Sequence, residues 1–138
     1  MPAQDVILVG ILLLALVTVE SGGYFLTKVV RGNVPANRLQ MSFFRAGHAH
    51  AAVLLVLSIA ILAVISNAAL DGFWLWLASA GVPVAAILMP AGFFLSVIGS
   101  DPQRPNRLIW LLWIGAAVLT AALITAGVGL IAGGVAAL

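Results

Sequence analysis

The sequence predicts an all-α integral membrane protein, an antiparallel bundle of four transmembrane helices forming a single domain over residues 1–138. Three observations carry that expectation. Hydrophobic residues make up 64% of the chain and charged residues 7%, whereas soluble domains carry about 25% charge. So few charges cannot cover a water-facing surface, which leaves lipid as the solvent. Four apolar runs are each long enough to cross a bilayer, for which about 20 residues suffice. The basic residues fall only in alternate connections between those runs.

In chain order, helices are expected at about residues 6–27, 44–66, 73–98 and 107–137. The first run, from Val6, has Asp5 as the only charge before it. It lacks the basic leader and the small-x-small site of a cleaved signal, and is read as a retained helix. "TKVVRGNVPANRLQMSF" separates it from the second run, which begins near Phe44. "SNAALDG" ends the second run, and "GSDPQRPN", with two prolines, ends the third. Short connections between consecutive spans favour antiparallel neighbours.

Lys28, Arg31, Arg38 and Arg45 lie around the first connection, and Arg104 and Arg107 at the third. Excess basic charge marks cytoplasmic loops. The first and third connections are therefore expected in the cytoplasm, with both termini outside, in the inner (plasma) membrane of a bacterial cell. These side chains serve topology and lipid headgroups, so the net charge of +2 does not imply a nucleic-acid partner. Trp74 and Trp76 would mark the outer interface, and Trp110 and Trp113 the inner one.

Within the third span, Pro83 and Pro90 each remove a backbone donor and invite a kink. A broken helix lining a cavity and a simple packing bend both fit that pair. Gly129 and Gly133 form a GxxxG pair in the fourth span, suited to close helix packing within the bundle or against another chain. The second span, "AAVLLVLSIAILAVI", offers no polar handle beyond Ser58.

Chemistry-bearing residues are few. The absence of cysteine excludes thiol catalysis and cysteine metal sites. No phosphate loop, nucleophile elbow or carboxylate pair occurs, so no catalytic residue and no metal site is expected. Glu20 is the only acid inside a span. A carboxylate in hydrocarbon has to be paired, wet or protonated, which makes it a functional candidate. It lies about 12 Å below Lys28 along the helix. His48 and His50 enter the second helix about 6 and 9 Å beyond Phe44, so one of them can share the depth of Glu20 as a polar contact or proton relay. At i, i+2 they diverge by about 200° and cannot serve one metal or haem iron together. Haem b on either would need a second ligand from elsewhere.

Two short stretches carry resemblances. "FRAGHAHAAVLLVLS", Phe44 to Ser58, resembles small bacterial four-helix membrane proteins of unassigned function that share an F-R-x-G-H-A-H-A motif. "ALVTVESGGYFLTK", Ala15 to Lys28, resembles the first helix of small multidrug resistance transporters. That likeness implies a proton-exchanging role for Glu20, with Gly23 and Lys28 in matching spacing. The longer first connection and both histidines depart from the transporter pattern.

Three functional readings follow from the residues. The first is a non-catalytic accessory or assembly subunit of a larger membrane complex, with other membrane chains or copies of itself as partners. The second is a homo-oligomeric proton-coupled transporter or channel using Glu20. The third is a b-type haem or electron-transfer subunit using His48 or His50.

Overall fold

Four helices, each long and apolar enough to cross a membrane, make up most of the computed structural model, which describes residues 1–138. They are α1 (Ala3–Val30), α2 (Arg38–Val64), α3 (Gly72–Leu95) and α4 (Trp110–Ala136). A single 3-10 turn extends α2 over Ile65–Asn67, and another leads into α4 over Arg107–Ile109.

The helix ends follow local chemistry. Gly32, at φ +75°, closes α1. Its N–H donates to Val29 O, and the Asn33 N–H donates to Lys28 O, the paired bonds of a Schellman cap. Arg38 opens α2 well ahead of the expected Phe44. The cause is a capping box: Asn37 accepts from the Gln40 N–H, and the Gln40 side chain accepts from the Asn37 N–H. The segment Arg38–Ser42, with polar Arg38, Gln40 and Ser42, is thus the start of a helix. At the other extreme, α3 stops at Leu95, short of the expected residue 98.

Packing is sequential: α1 lies chiefly on α2, α2 on α3, and α3 on α4. The core runs from Leu12 through Leu54, Leu55, Leu62, Ala85, Ala86 and Met89. It continues through Ile61, Ile65, Ala78, Val82, Ala122 and Ala126. The centre of the bundle is α3, with buried residues from Ala78 to Gly92. By contrast α1 buries only Leu12 and Val29, and its other large apolar side chains are exposed or half-exposed. In water that would be an aggregating surface; in lipid it is the ordinary outer face of a span.

Small residues set the α3–α4 distance. A Cβ on Gly81 would stand 2.6 Å from the Ala122 Cβ, and one on Gly115 would stand 2.7 Å from Met89 Cγ. At Gly92 it would meet the backbone of Leu112. The α-helix continues unbroken through Pro83 and Pro90, with Pro90 buried and Pro83 half-buried. Gly129 and Gly133 seat something other than a helix. Leu70 packs on Gly129, the carbonyl of Asn67 sits at Gly133, and the Ala69 N–H donates to Gly129 O at 2.9 Å. The GxxxG pair therefore receives the second connection of its own chain.

The first and third connections also meet. Asn37 Nδ2 donates to Asp101 Oδ1 and to Pro102 O, both at 2.8 Å. Gln40 Nε2 donates to Val97 O at 3.1 Å and Gly99 O at 2.9 Å. Asn106 closes the turn, its N–H donating to Ser96 O and its Nδ2 to Leu95 O. Asp101 takes φ +55°, a left-handed conformation that L-residues with a Cβ resist, and the Asn37 bond holds it there.

Candidate functional site: the groove between α1 and α2

Glu20 lies on α1 with its side chain exposed, and it forms no ion pair within the chain. Beside it, Leu16, Val17, Val19, His48 and Ala52 line a groove of about 430 Å³ between α1 and α2. Apart from Glu20 and the His48 ring, the lining is apolar.

His48 is placed by glycines. A Cβ on Gly22 would stand 3.4 Å from its Nδ1, and one on Gly23 would stand 3.5 Å from its Cε1 and Nε2. The imidazole therefore lies flat against α1 where two consecutive residues have no side chain. One turn toward the connection, Phe25 meets Phe44 edge-on at 5.7 Å, and Phe44 meets Phe94 at 5.9 Å. These rings join α1, α2 and α3 above the groove and fix the register that brings His48 level with Gly22 and Gly23. Replacing Gly23 by leucine should displace the ring and loosen α1, at a cost of about 1–3 kcal/mol. Thermal unfolding in detergent, followed by circular dichroism, checks this. His48→Ala in the same chain should restore most of the loss, and Gly10→Leu, at a position with nothing within 4 Å, should cost little.

His50 faces the opposite way. Its ring centroid lies 4.9 Å from that of Phe93 on α3. Its Nδ1 stands 2.8 Å from Ala46 O, a contact that the Nδ1–H tautomer makes as a donor. So the histidine that shares the groove with Glu20 is His48, while His50 belongs to the α2–α3 seam. A haem iron could take only one of them from this chain.

The basic residues stand apart from the groove. Lys28 lies over the Tyr24 ring at 4.6 Å. Arg31, Arg38, Arg45, Arg104 and Arg107 are all exposed. The chain matches no family model, no curated protein and no solved structure. Its function rests on this geometry alone.

Sequence reasoning singled out Glu20 and both histidines, but it did not separate the roles of His48 and His50 or give Gly22 and Gly23 a part. A signal for the glycines was present: two adjacent glycines within one turn of Glu20, the only acid in the four apolar runs, open that face of the helix to a neighbouring ring.

Proposed function

We propose that this chain is a non-catalytic subunit of a larger membrane assembly and that α1 is its docking helix. The observation that carries the reading is Glu20, an exposed and unpaired carboxylate on the least buried helix of the bundle. At 28 residues, α1 is about 42 Å long, against a hydrocarbon core of about 30 Å. With α1 centred in the bilayer, Glu20 lies about 9 Å inside the hydrocarbon boundary, beyond the reach of its short side chain. A charge left there costs about 2.5–3.5 kcal/mol by insertion scales, which favours an arrangement that covers it.

The four helices run antiparallel across the bacterial inner membrane in this reading. Support comes from the meeting of the first and third connections through Asn37 and Gln40, and from the second connection lying on α4 near its end. The same arrangement gathers all six basic residues at one end, the cytoplasmic one by the positive-inside rule, and leaves both termini outside. Exposed Trp74 and Trp76 at one end, and Trp110 and Trp113 at the other, fit two interfacial belts. Because the chain has no cysteine, single cysteines report topology cleanly. In intact cells a membrane-impermeant maleimide should label Asp71→Cys, but neither Asn33→Cys nor Gln103→Cys. The reverse pattern would invert the orientation.

Purification from mild detergent at native expression, with copurifying chains identified by mass spectrometry, tests the assembly role. Other membrane chains should come down in stoichiometric amount. Recovery of this chain alone would overturn the reading. In that event the shared Glu20–His48 groove would favour the second reading, a homo-oligomeric proton-coupled transporter, in which Glu20→Gln abolishes transport without impairing insertion.

A further inference from the structure

Glu20 belongs to an uncovered stripe. Val6, Gly10, Leu13, Val17, Glu20, Tyr24 and Thr27 alternate by four and three residues along α1, and every one is exposed. That spacing follows one face of a helix. Gly10 has nothing within 4 Å of where its Cβ would stand, so a neighbouring backbone can approach closely at that level. One side of the stripe drops into the groove at Glu20, where the wall is apolar except for His48. The imidazole is already seated on Gly22 and Gly23 and makes no ion pair with Glu20. The carboxylate therefore needs a donor from outside the chain.

A second copy does not offer one at the right height. Phe44 meets Phe25, so Arg45 stands about four residues, or roughly 6 Å, above Glu20 along the bundle. Lys28 is about 12 Å above it. Two copies inserted in the same direction keep those offsets, so to meet the partner's carboxylate either cation would have to turn away from the headgroups and into hydrocarbon, against its preference to snorkel outward. Charge complementarity selects a different chain.

We propose that the exposed α1 stripe docks a transmembrane helix of another protein that carries a lysine or arginine level with Glu20, its cationic head entering the groove between Glu20 and His48. This rests on the assembly reading and gives the partner its chemistry. An arginine fork can bind the carboxylate through two N–H groups, and a lysine through one. In hydrocarbon, the pair removes two separate burial costs at once.

The test uses the whole chain, donor-labelled, in phosphatidylcholine vesicles, with acceptor-labelled leucine–alanine transmembrane peptides as probes. The peptides differ only at one central position, which is lysine, leucine or glutamate. Energy transfer should show the lysine peptide binding about tenfold more tightly than the leucine peptide. Glu20→Gln should abolish that difference, and Glu20→Lys should transfer the preference to the glutamate peptide. Equal binding of the lysine and leucine peptides to the wild-type chain would overturn the proposal, and that comparison needs no variant to fold. So would self-association of the chain that depends on Glu20 and that the lysine peptide cannot displace. If the native assembly copurifies undiminished with Glu20→Gln, the charge pairing is wrong while the assembly role stands; if no assembly copurifies with the wild type, the assembly role itself fails.

Discussion

Gly92→Ala should be strongly destabilising, though it adds only one methyl group. Its Cβ would arrive at the backbone of Leu112, 2.9 Å from the Cα and 2.8 Å from the Cβ. A side chain can rotate away from such a clash, but a helix backbone cannot. The α3–α4 seam would have to open, and the same seam is held close at Gly81 against Ala122 and at Gly115 against Met89. Overpacking of this kind costs about 1–3 kcal/mol, and the rigid partner puts Gly92 at the upper end. Against it stands a gain of at most about 1 kcal/mol from replacing glycine by alanine in a helix. The net loss should be about 2 kcal/mol, read as a lowered unfolding midpoint in detergent. Gly127→Ala, with nothing within 4 Å, isolates the propensity term and should be neutral or slightly stabilising.

The second large effect should come from Gln40→Leu. Gln40 is 8% exposed, and its amide serves three backbone groups. Nε2 donates to Val97 O and Gly99 O, and Oε1 accepts from the Asn37 N–H. Leucine keeps the volume but none of the bonds. Each buried group left without a partner costs about 1–3 kcal/mol, and the capping box is lost with them. The expected result is a destabilisation of about 3 kcal/mol, together with faster proteolysis within residues 99–106, where the turn loses its anchor. Gln103→Ala, on an exposed side chain that bonds only Asp101 O, should change neither readout.

These residues show where a sequence speaks and where it is silent. Four apolar helices were legible because hydropathy depends on composition over some twenty positions, and no tertiary detail can reverse it. The start of α2 was misplaced because Arg38, Gln40 and Ser42 look like loop by hydropathy. The Asn37-x-x-Gln40 capping pattern was the better guide there. The end of α3 was overrun for the opposite reason. Val97 is fully buried and Ile98 is apolar, yet the backbone leaves the helix so that Val97 O and Gly99 O can reach Gln40 across a separation of more than fifty residues.

The groove was half legible. Glu20 stands out by its charge and its place within an apolar run. Which histidine accompanies it depends on the rotation of α2, and that rotation is fixed by Phe25, Phe44 and Phe94 together. Gly129 and Gly133 were recognised as a contact surface, but spacing within one helix cannot say whether a helix or a connection will occupy it. Here the occupant is the strand of backbone from Asn67 to Leu70.

The seating of Asn67–Leu70 on α4 bears on how the chain is made. It ties the turn between α2 and α3 to a helix that follows both in the chain, so α2, α3 and α4 close on one another as a unit only once α4 has been made. The helix made before these three, α1, has its main contact with α2 and takes no part in that closure. It precedes the other three in synthesis and is the least tied to its own chain, so its exposed face is already formed before they lock together.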